Sequence, residues 1–65
     1  MKASEIRELS DEEIRAKLAD TREELMKLRF QQVMGQLPDS SRLRHVRHDI
    51  ARMETVLTER EKLGA

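Results

Sequence analysis

The amino-acid sequence predicts an all-α fold: an antiparallel two-helix hairpin, coiled-coil-like, with a short N-terminal helical turn. Three observations carry that expectation. Of 65 residues, 40% are charged, Phe30 is the sole aromatic and Pro38 the sole proline, a composition typical of long amphipathic helices. Two stretches of about 24 residues repeat apolar side chains at helical spacing. One break, Gly35-Gln36-Leu37-Pro38, separates them.

The elements follow in order. Ala3 to Leu9 suits one or two helical turns, whose Ile6 and Leu9 are expected to fold onto the open end of the hairpin. Ser10-Asp11-Glu12-Glu13 is a capping box: Ser10 can accept from a first-turn amide, Glu13 can reach back, and the acidic cluster suits the positive helix end. Ile14, Leu18, Thr21, Leu25 and Leu28 then recur at alternating spacings of four and three, with Met26, Phe30 and Val33 widening the stripe. This helix, about 10–34, should stop near Met34, because Gly35 suits a left-handed position. The elbow occupies 35–38, Pro38 biasing Leu37 away from helical geometry.

Asp39 is the expected N-cap of the second helix, with Ser40 or Ser41 as competitors. Leu43, Val46, Ile50, Met53 and Leu57 form its stripe over about 39–62. Beyond Arg60 the stripe fails, so Lys62-Leu63-Gly64-Ala65 is expected to fray. Each helix would measure roughly 36 Å, and equal lengths with a short connector argue for an antiparallel pair within one domain, 1–65. In such a pair each stripe meets one partner, so Met26, Phe30, Val33 and Val56 should stay partly wet. A core this small barely offsets its ordering cost, which hints at assembly with something external.

Composition excludes several classes of function. There is no Cys, which fits a reducing compartment such as the cytoplasm, and two His offer too few ligands for structural zinc. No apolar run approaches the ~20 residues needed to cross a bilayer, so no membrane partner is expected. No Gly-rich phosphate loop is present, and one hairpin encloses no cleft, so the chain reads as no enzyme, with no cofactor and no small-molecule substrate. The adjacent pairs Glu12-Glu13 and Glu23-Glu24 diverge around their helix. His45 and His48 lie three apart with Asp49 as the one further ligand nearby, so no metal site is expected.

Charge distribution is more informative than net charge, which is zero. Residues 1–28 carry six basic against eight acidic side chains, net −2, whereas residues 29–53 carry five arginines against Asp39 and Asp49, net +3. A local basic patch of this kind can hold phosphates. On the second helix Arg44, His48 and Arg52 follow each other at intervals of four and line the crest opposite the apolar stripe. Arg47 flanks that crest, and the small Ala51 and Thr55 on it would let a backbone approach closely. The competing reading is that these arginines solvate the helix and pair with glutamates of the first. With Phe30 as the sole aromatic, recognition would rest on shape and phosphates, as for structured RNA. Arg29-Phe30-Gln31-Gln32, near the elbow, could join the same surface.

The segments LRFQQVMGQL (28–37) and RLRHVRHDIARMETVLTERE (42–61), with the opening MKASEIRELSDEEI, resemble the bacterial large-subunit ribosomal protein twenty-nine family. The resemblance covers essentially the whole chain. It implies a helical hairpin held on large-subunit ribosomal RNA near the mouth of the nascent-chain exit tunnel. Its expected neighbour is ribosomal protein twenty-three, where trigger factor or signal recognition particle would dock. Among the matching residues, Arg29, Gln36, Arg42, Arg47 and Arg52 become RNA-binding candidates, joining Arg44, His48 and Thr55 from the crest. Val46, Ile50 and Leu57 are expected in the core. The alternative is a free-standing coiled-coil module forming a homodimeric four-helix bundle.

Overall fold

A computed structural model describes residues 2–37 and 40–64. Helices α1 (Ala3–Arg7), α2 (Asp11–Val33) and α3 (Ser41–Gly64) follow in order; α2 packs along α3, and α1 also packs on α3. The ion pairs Asp11–Arg60, Arg22–Glu54 and Glu24–Arg42 fix the direction, because the partner number falls as the α2 number rises. The long helices are therefore antiparallel, in a rod of 44 × 17 × 16 Å.

Local signals place the boundaries. Ser10 Oγ accepts from the Glu13 amide at 3.2 Å, and the Glu13 carboxylate accepts from the Ser10 amide at 3.4 Å, so the capping box starts α2. At the other end Gly35 adopts φ +72°. Its amide donates to Gln32 O at 3.1 Å and that of Gln36 donates to Gln31 O at 2.8 Å, a Schellman closure. At α3 the Ser40 carbonyl accepts from the Arg44 amide at 3.4 Å. Pro38 and Asp39, expected as turn and cap, lie outside the described residues.

The core sits toward the end away from the elbow. Ile6, Ile14, Leu18, Met53 and Val56 form one buried cluster, with Leu9, Ile50 and Leu57 packed against it. Nearer the elbow, Leu43 and Val46 of α3 are buried, whereas Leu25 and Leu28 of α2 are half-buried. Ile50 and Leu57, expected as core, are likewise half-buried.

Two expectations need correction. Val56, expected on a wet flank, is 3% exposed, because α1 gives α3 a second partner and Ile6 joins Val56 in the cluster. The helix also does not end at Lys62 but runs through Gly64, backbone bonding carrying it past the last apolar contact. Met26, Phe30 and Val33 do stay exposed, as expected.

Candidate nucleic-acid interface

The packing of α3 decides which side chains face outward. Leu43, Val46, Met53 and Val56 turn toward the other helices, and a helix turns 100° per residue. Arg44, His48, Ala51 and Thr55 therefore project to the far side, and all four are exposed. Arg44, Arg47, His48 and Arg52 line one shallow concavity with Ser40, Leu43 and Ala51. The methyl of Ala51 forms low ground between longer side chains, so an approaching backbone could come close. Ser40, weighed as a cap, and Leu43, placed in the apolar stripe, were not site candidates from sequence. Ser40 lies four residues before Arg44, so the same helical row that linked Arg44 to His48 pointed to it.

A second concavity joins Arg44, His48 and Arg52 to Arg42, His45 and Asp49 on the adjoining flank. Here the competing sequence reading is realised in part. Nε of Arg42 donates to Glu24 Oε1 at 2.8 Å, and Nη2 of Arg42 donates to the same oxygen. So Arg42 is tied to α2 while bordering the basic patch.

Thr55 lines a further groove, with Ala51, Glu54, Thr58, Glu59 and Lys62. Its hydroxyl donates to Ala51 O at 2.8 Å, so toward a ligand that oxygen can only accept. Arg29 and Gln36 are exposed but line neither basic concavity: Arg29 stands on α2, and Gln36 lies in the elbow. The site thus gathers Arg44, Arg47, His48 and Arg52 closely, borders on Arg42 and Thr55, and leaves Arg29 and Gln36 apart.

The elbow end carries another feature. Met26, Phe30 and Val33 of α2 and Met34 just past its end are 71%, 66%, 84% and 56% exposed. An apolar row of this kind on so small a chain marks a contact surface. Among the described residues, no three His, Cys, Asp or Glu side chains are grouped to hold a metal ion. No described helix is long and apolar enough to cross a membrane.

The model of a family described as ribosomal L29 protein matches residues 4–60. The large ribosomal subunit protein uL29 of Roseiflexus castenholzii is 61% identical over 61 residues, covering 94% of this chain and 92% of the relative. The proteins of the same name from Carboxydothermus hydrogenoformans and Geobacillus stearothermophilus are 57% and 56% identical, with 94% of this chain and 88% and 92% of theirs covered. The match spans the capping box, the elbow and the basic helix alike, and on that extent the chain belongs to the ribosomal L29 protein family.

Proposed function

We propose that this chain binds large-subunit ribosomal RNA through the outward crest of α3, near the nascent-chain exit tunnel, and performs no catalysis. As a ribosomal protein of a bacterial family, it is a structural constituent of the large subunit in the cytoplasm. The observation that supports the RNA face is the gathering of Arg44, Arg47, His48 and Arg52 around Ala51, opposite the packed side of α3. Guanidinium groups around a shallow, low-floored concavity suit phosphates of a folded RNA, whose deep major groove resists side-chain reading. Arg29 and Gln36 would add contacts at the elbow, and Thr55 would accept from ribose hydroxyls farther along. The tunnel-exit location rests on the family resemblance.

The apolar row Met26, Phe30, Val33 and Met34 is the surface we assign to the neighbouring ribosomal protein twenty-three. Trigger factor or signal recognition particle would then meet this pair of proteins from outside.

The test is incorporation. Reversing Arg44, Arg47 and Arg52 to Glu should abolish co-sedimentation with large subunits while leaving helicity near normal, since all three are exposed. Reversing Arg15, Lys17 and Lys27 to Glu changes the charge equally on α2 and should leave incorporation intact. With three or four phosphate contacts, binding should weaken with salt at a log–log slope of roughly −3. Normal incorporation of the α3 variant would move the RNA contact elsewhere. A chain that stayed at the top of the gradient as a small dimer would favour the four-helix-bundle reading.

A further inference from the structure

We infer that Arg42 is a positioning residue of the RNA face, a clip that sets the rotation of α3 through Glu24 and does not itself hold phosphate. The inference rests on the reading of α3 as the RNA-facing helix.

Azimuth is the first argument. Arg42 precedes Arg44 by two residues, so it points about 200° around the helix from it, toward the flank facing α2. Arg60 follows Arg42 by eighteen residues, which is five full turns, and so occupies the same azimuth. Both reach carboxylates of α2: Arg60 Nη1 donates to Asp11 Oδ1 at 2.7 Å, and Arg42 donates through two nitrogens to Glu24 Oε1. The second Arg60 contact, from Nη2 to Arg7 O at 3.0 Å, marks that residue as structural. Arg42 repeats the same device at the other end of the rod.

Solvation is the second argument. The Glu24 side chain is 38% exposed, lower than Glu54 at 49%, Asp11 at 52% or Glu59 at 47% in the other pairs between helices. The pair is partly exposed and contributes modestly, about fivefold at most, and a phosphate taking Arg42 would forgo that gain and also meet the repulsion of the Glu24 carboxylate. The third argument is need. At the elbow end α3 buries Leu43 and Val46 against merely half-buried α2 side chains, so packing alone fixes its rotation weakly. A small rotation there would carry Arg44, Arg47 and His48 together away from the bearing they hold relative to α2.

The full chain would be titrated with intact large-subunit ribosomal RNA freed of protein. Arg42→Gln should weaken binding roughly two- to fivefold, the range of one partly exposed ion pair, with the salt slope unchanged. The exchange Glu24→Arg with Arg42→Glu moves the positive charge to α2 but restores the pair, and should return affinity to within about twofold. A salt slope shallower by about one in Arg42→Gln would make Arg42 a phosphate contact and overturn the inference. So would wild-type affinity in that variant, or an exchange variant as weak as the single one.

Hydrogen exchange supplies an arm that needs no RNA. Amides of Arg44 to Arg47 should exchange faster in Arg42→Gln and in Glu24→Gln, and return to normal in the exchange variant. Unchanged protection in both single variants would refute the clip. Wild-type protein that bound no RNA would instead refute the RNA reading, leaving the clip to be decided by exchange alone.

Discussion

At the end of the rod where α1 crosses, side chains from three helices bury one another: Ile6, Ile14, Leu18, Met53 and Val56. At the elbow end two helices meet, and Leu43 and Val46 are buried while Phe30, Val33 and Met34 stand in solvent. The apolar stripes of α2 and α3 continue along both ends, so apolar content does not explain the contrast. The third partner does. A short helix turns one half of an open hairpin into a small core, and the other half keeps its apolar row, Arg44 and Arg47 exposed. The chain thus closes its core at one end, and under the proposed function a partner completes the other.

The largest expected effect breaks the closed end. Met53 is fully buried, and Met53→Ala should cost about 2–5 kcal/mol, enough to unfold most of a chain this small. Phe30→Ser, on a bulkier side chain at the elbow end, should change stability by only about 0.5 kcal/mol. Thermal melting followed by far-ultraviolet circular dichroism measures both. Similar costs for the two would show that the ends are not different.

A smaller effect tests what holds α1. The Arg60 side chain, 29% exposed, joins Asp11 and the Arg7 carbonyl to α3, and Arg7 lies 3.7 Å from Glu59. Arg60→Gln should cost about 1–1.5 kcal/mol, below the full value of charged hydrogen bonds because the site is partly wet. Its signature should be faster amide exchange at Leu9, whose amide donates to Ile6 O, with α2 near the elbow unaffected. The elbow itself should also give a small effect. A Cβ at Gly35 would meet nothing within 4 Å, so Gly35→Ala carries only the strain of φ +72°, about 0.5–1 kcal/mol net. A larger loss in melting midpoint would mean that the elbow is packed against something.

Much of this was legible in the chain. Capping box, Gly35 closure and both stripes are local signals, written in residues one to four positions apart, and they located α2 and α3 closely. The crest of Arg44, His48 and Arg52 followed from the same periodicity. The third partner was expected as well, in Ile6 and Leu9 folding onto the open end of the hairpin; what the periodicity could not supply was that it would bury Val56. Ile6 lies in a five-residue helix too short to show a period, yet it is fully buried and covers Val56. The role of Arg42 was hidden for a similar reason. Its ion pair with Glu24 joins residues eighteen positions apart, and only the register of two helices brings them together.

Native-state hydrogen exchange on the isolated chain tests the contrast between the ends most directly. Amides of α2 around Leu18 and of α3 around Met53 and Val56 should be the slowest, opening only with global unfolding. Those of Met26 to Val33, and of the first turns of α3, should exchange through cheaper local openings, and should become protected when the chain joins the large subunit. Uniform protection along both helices in the isolated chain, unchanged in the subunit, would contradict a hairpin that is complete at one end and waiting at the other.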